Sequence, residues 1–117
     1  MRLPAEFEAR MKALLGDEFA DLERAFDAPA VRALRVNTQK MSVERFLSVC
    51  PFPVTPVPFC PHGFYFDFDG IGHHPLHHSG AIYVQEPAAM AVLECCEIVP
   101  GMKILDLCAS PGGKTSQ

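Results

Sequence analysis

The chain has 117 residues, enough for one modest domain and too few for two full ones, and its 49% apolar and 21% charged residues can build a core. Ten Lys and Arg against fourteen Asp and Glu give a net charge of −4, which argues against a general nucleic-acid coat. No window reaches the ~18 apolar residues of a membrane span, and the opening Met1-Arg2-Leu3-Pro4-Ala5-Glu6 lacks a signal-peptide run. The five cysteines, an odd number with no Cys-x-x-Cys pair, fit a reduced cytoplasmic protein with free thiols.

Pro4 to Leu15 reads as a helix, with Pro4 in the first turn, Phe7, Met11, Leu14 and Leu15 on one face, and Gly16 closing it. Asp17 to Phe26 reads as a second helix with Phe19, Leu22 and Phe26 at helical spacing, ended by Pro29. Val31 to Asn37 alternates and reads as a strand. Around it Arg32, Arg35, Lys40 and Arg45 face only Glu44, which allows either a local basic patch or a solvated mixed surface.

Ser42 looks like the N-cap of a helix through Cys50, with Val43, Phe46 and Leu47 inward. Four prolines between Pro51 and Pro58 forbid helix and predict an extended surface path, with the interleaved Phe52, Val54 and Val57 packing on the domain. Phe64 to Phe68 reads as a strand. Asp69 to Gly80 reads as a loop holding His73, His74, His77 and His78. No cysteine or carboxylate stands at zinc-ligand spacing, so we expect a polar loop and no metal. Ala81 to Gln85 reads as a strand, and Pro87 opens a helix to about Ile98 that is apolar on several sides and so mostly buried.

Pro100-Gly101 turns the chain into Lys103-Ile104-Leu105-Asp106-Leu107, a short apolar strand that feeds the glycine-rich run Cys108-Ala109-Ser110-Pro111-Gly112-Gly113-Lys114. Such a loop lets backbone approach a ligand closely. A phosphate-binding P-loop needs a glycine where Cys108 stands, which leaves a plain turn or a loop for S-adenosylmethionine (SAM). The string Asp106 to Thr115 resembles the first motif of the Sun/RsmF-type RNA (cytosine-5) methyltransferases. The resemblance extends upstream to Leu3-Pro4-x-x-Phe7, Arg35-Val36-Asn37-Thr38, His74-Pro75-Leu76-His77 and Gln85-Glu86-Pro87-Ala88-Ala89-Met90, in the family's order.

The resemblance implies transfer of a methyl group from SAM to C5 of cytosine in RNA, with ribosomal RNA the usual target. It assigns Cys108, Ala109, Ser110, Pro111, Gly112, Gly113 and Lys114 to SAM, and Arg35 and Asn37 to RNA. The family's two Pro-Cys-type cysteines lie downstream of the glycine loop, and this sequence ends before them. Cys50 and Cys60 precede a proline and lie upstream, so no catalytic residue is assigned here. The expected fold is α/β: an amino-terminal α+β accessory domain over residues 1–80, then over 81–117 the truncated start (helix, first strand, glycine loop) of a Rossmann-like methyltransferase domain. The rival reading is a stand-alone RNA-binding module in which Arg32, Arg35 and Lys40 hold phosphates while Phe64 or Tyr65 stacks on bases.

Overall fold

A computed structural model describes residues 3–117, so the reading of the opening Met1-Arg2 lies outside the described residues. These divide into two compact units, one ending at Ala30 and the other beginning at Val31.

The first unit is a pair of helices, α1 (Ala5–Leu15) and α2 (Phe19–Asp27), joined by a 3₁₀ turn over Gly16–Glu18. Gly16 ends α1 with its N–H on the Lys12 carbonyl. Phe7 meets Phe26 edge-on at 6.2 Å between ring centroids, and the Lys12 ammonium sits 5.1 Å from the centroid of the buried Phe19. The apolar face expected on α1 is only partly used: Leu14 is 73% exposed.

The second unit is built on a four-stranded sheet in the order β2-β3-β1-β4. Its strands are β1 (Ala33–Val36), β2 (Val54–Pro56), β3 (Gly63–Phe66) and β4 (Ile82–Val84). Every neighbouring pair is antiparallel, with Leu34 opposite both Phe64 and Val84. Strand alternation sends Leu34, Val36, Phe64, Phe66 and Ile82 to one core, where Phe46, Phe52 and Ile71 meet them. Ala33 goes to a second core with Val57, Cys60 and Met90. Covered on both sides, β1 is buried at all four positions. Phe46 arrives from α3 (Val43–Val49), whose Ser42 N-cap accepts the Arg45 N–H at 3.2 Å. Met90 arrives from α5 (Pro87–Glu94), with Pro87 in the first turn as the sequence predicts.

Several elements differ from expectation for identifiable reasons. The stretch expected as a loop over Asp69 to Gly80 holds a 3₁₀ turn (Ile71–His73) and a one-turn helix, α4 (Pro75–His78). Pro75 opens α4 where its missing N–H costs nothing, and His74 caps it, its Nδ1 accepting the Leu76 N–H at 3.2 Å. The proline-rich path is the edge strand β2, a place where proline disrupts no central ladder. Leu47 points outward at 50% exposure, because a seven-residue helix touches the sheet along one stripe, and Phe46 occupies it. Helix α5 ends at Glu94 instead of Ile98, and Met90 is its one buried residue. Lys103 to Leu107 is irregular, with Leu105 81% and Leu107 85% exposed. A strand needs a partner to accept its ladder bonds, and no described strand runs beside it.

Candidate functional site

The glycine-rich run folds as a series of turns after Asp106. The Asp106 carboxylate gathers it: Oδ1 accepts the Cys108 N–H at 2.8 Å, and Oδ2 accepts the Thr115 hydroxyl at 2.5 Å. These donors hold the Asp106 pKa below the usual carboxylate range, the Thr115 hydroxyl contributing most. Gly112 sits at φ +110°, a conformation that side chains resist, and the Ser110–Pro111 peptide is cis. The Ser116 N–H returns to the Gly112 carbonyl at 2.9 Å. Among the described residues, the backbone N–H groups of Gly112, Gly113 and Lys114 meet no protein acceptor.

The tail of this loop lies against the sheet. Gly113 is seated at Tyr83, where an added Cβ would lie 3.5 Å from the ring and 3.7 Å from Gln85 Nε2. Arg35 Nη2 donates to Ser116 Oγ at 2.9 Å, and Arg35 Nε donates to Gln85 Oε1 at 3.0 Å. The guanidinium carbon stands 5.9 Å from the Tyr83 ring centroid. Gln117 Nε2 donates to the Met90 carbonyl and to Glu94 Oε1, each at 3.2 Å, which ties the tail to α5.

Both residues expected to face RNA are hydrogen-bonded within the chain. Arg35 is 5% exposed, and burial lowers its pKa. Asn37 Nδ2 donates to the Gly80 carbonyl at 3.0 Å, and its Oδ1 accepts the Gln39 N–H. Arg32 and Lys40 are also engaged. Arg32 pairs with Asp69 at 3.0 Å, donates to the Phe68 carbonyl and lies 4.9 Å from the Phe66 ring centroid. Lys40 Nζ donates to the Ser79 carbonyl at 2.6 Å. Phe64 is buried in the first core, while Tyr65 is half-buried against the second. The structure therefore leaves Phe64 unavailable for the base stacking of the stand-alone RNA-binding reading.

His74 packs edge-on against Phe52 and Phe68. No group of three or more His, Cys, Asp or Glu able to hold a metal occurs among the described residues. Burial pushes the Cys60 thiol pKa up, the direction opposite to an activated nucleophile. No described helix is long and apolar enough to cross a membrane.

Sequence reasoning missed Gln85 and Ser116 as partners of Arg35, because side chains 50 and 81 positions apart carry no local signal of contact. It could have found Asp106, since an Asp two residues before a turn N–H is a recognisable local cap.

Residues 3–87 match the family model for the N-terminal domain of the 16S rRNA methyltransferase RsmF. Ribosomal RNA small subunit methyltransferase F of Klebsiella pneumoniae is 39% identical over 97% of this chain and 26% of its own length. The same-named protein of Vibrio cholerae is 34% identical over 98% of the chain and 27% of its own length. A crystal structure of a methyltransferase homolog from Pyrococcus horikoshii superimposes with a TM-score of 0.76 at 32% identity, over 97% of this chain and 39% of that one. The chain thus spans about a quarter of the length of the curated relatives it matches. With the family model covering most of its residues, the chain belongs to the RsmF/Sun methyltransferase family and corresponds to its amino-terminal portion.

Proposed function

We propose that this chain is the amino-terminal part of a SAM-dependent methyltransferase that modifies C5 of cytosine in ribosomal RNA. The observation that carries the reading is the loop Cys108 to Lys114, held by Asp106 with the N–H groups of Gly112, Gly113 and Lys114 open. Open donors beside glycines suit the polar amino-acid end of SAM, which has a carboxylate to accept them. SAM supplies an electrophilic methyl group; the loop's part is to bind and orient it. Residues 1–80 then serve as an accessory domain and 81–117 begin the methyl-transfer domain, with β4, paired to β1, fastening one to the other.

Cytosine C5 becomes nucleophilic only after a thiolate adds to C6. In this chain the buried Cys60 is shifted the wrong way for that role. None of the five cysteines follows a proline as the family's two do, so we assign no catalytic residue to these 117 residues and predict that they neither transfer methyl groups nor bind SAM at micromolar concentration by themselves. RNA contact through Arg35 and Asn37 would require both side chains to leave their present partners.

The test is a chimera in which this chain replaces the matching amino-terminal quarter of the Klebsiella pneumoniae relative, assayed for labelled methyl transfer from SAM to small-subunit ribosomal RNA. Label at cytosine C5 supports the proposal. A soluble, folded chimera that leaves the RNA unlabelled, beside an active parent, refutes it. So does a micromolar SAM isotherm, or methyl transfer, by residues 1–117 alone.

A further inference from the structure

We infer that Arg35 is a positioning residue that holds the tail of the glycine loop on the sheet and so keeps the loop in its ligand-ready shape. The inference rests on the reading of Cys108 to Lys114 as the cofactor loop. Arg35 lies on the central strand β1, opposite Gly63 on β3 and Tyr83 on β4. Its guanidinium is buried, yet no carboxylate lies within ion-pair distance of it among the described residues.

A buried cation without a counter-charge is a poor core filler, because an apolar side chain of similar volume avoids the desolvation cost. What this cation does is join two parts of the chain. Nε fixes Gln85 at the end of β4, and Nη2 reaches Ser116 just past the loop. Gln85 extends the link, its Nε2 standing 3.4 Å from Gln117 Oε1. Tyr83 completes the seat, with the guanidinium carbon 5.9 Å from its ring centroid and Gly113 seated at its ring edge. The planar fork of arginine serves both partners at once; the single-point ammonium of lysine serves one. Gly113 and Ser116 bracket Lys114, so fixing them fixes its open N–H, and the Ser116 N–H bond to the Gly112 carbonyl holds the start of the run.

The experiment is hydrogen exchange on the 117-residue chain without SAM, so its outcome stands apart from whether the loop binds that cofactor. The readout is the pair of hydrogen-bonded amides of Ser116 and Gln117, compared with the amides of β1 and β3. Arg35→Met keeps the buried volume and removes the donors. It should speed exchange at both loop amides by about tenfold or more, as expected for loss of a charge-assisted hydrogen bond, and leave the sheet amides unchanged. Ser116→Ala, which alters no core residue, should speed the Gln117 amide alike, and the double variant should go no further than either single change. Arg35→Lys should fall between. Unchanged loop exchange over an intact sheet overturns the inference. Sheet and loop opening together in Arg35→Met also overturn it, since Arg35 would then be an ordinary core residue.

Discussion

Replacing Gly63 by alanine puts a methyl group where the two sides of the second core close on each other. A Cβ on Gly63 would lie 2.8 Å from Met90 Sδ, 3.1 Å from Cys60 Cβ and 3.2 Å from Cys60 Sγ. Methionine is flexible, but Met90 is fully buried and the buried Cys60 also crowds the added methyl, so relief requires the packed core to shift. Overpacking of this kind costs about 1–3 kcal/mol. Alanine regains roughly 0.5–1 kcal/mol of chain entropy over glycine in a strand, leaving a net loss centred on about 1.3 kcal/mol and no larger than about 2.5 kcal/mol. With a urea slope of about 1 kcal/mol per molar, the unfolding midpoint should fall by about 1.3 M. Tyrosine fluorescence is the probe, because Tyr65 and Tyr83 both lie in the unit beginning at Val31 and the chain has no Trp. Met90→Ala alone should cost about 2–5 kcal/mol, and its cavity should then accept the Gly63→Ala methyl at little further cost. The contact matters to the loop because the Met90 carbonyl holds Gln117. An unchanged midpoint in Gly63→Ala, or strict additivity in the double variant, would refute the packing account.

Three further outcomes follow from the same geometry. The ionised Asp106 carboxylate is favoured in the folded loop, so its contribution is complete above the unfolded Asp pKa of about 3.9 and is lost as pH falls through the lower folded value. The Cys108 amide shift should titrate below 3.9 by NMR, and Asp106→Asn should abolish that step; a midpoint at or above 3.9 contradicts it. A thiol reagent at neutral pH should modify the exposed Cys95, Cys96 and Cys108 quickly and the buried Cys60 only on unfolding, and early labelling of Cys60 by peptide mass mapping would be the contrary result. Ser42→Ala should cost about 0.5–2 kcal/mol by leaving the Arg45 N–H without its cap, read as a lower urea midpoint, with Ser42→Asp recovering most of it.

Much of this protein is legible in local sequence because the signals are local. Pro4, Ser42 and Pro87 mark helix starts through steric and hydrogen-bonding preferences that act within one turn. Alternation marks β1, and glycines mark the loop at Gly112 and Gly113. The same local reasoning read Asp69 to Gly80 as a loop where Pro75 opens a one-turn helix, since a proline breaks a helix or starts one through the same missing N–H and the His74 cap marks the start. It extended α5 to Ile98 and made a strand of Lys103 to Leu107, because apolar composition measures a tendency to be covered and not whether a cover is at hand.

By itself, then, the sequence determined the helix starts, the alternation of β1 and the glycine turns of the loop, all set by interactions between residues a few positions apart. Tertiary structure alone decided the strand order β2-β3-β1-β4, the socket that Gly63 makes for Met90 and the inward turn of Arg35 toward Gln85 and Ser116. Those depend on which distant segments meet. That is settled by burying two apolar faces of one sheet at once, a condition no single stretch of the chain contains.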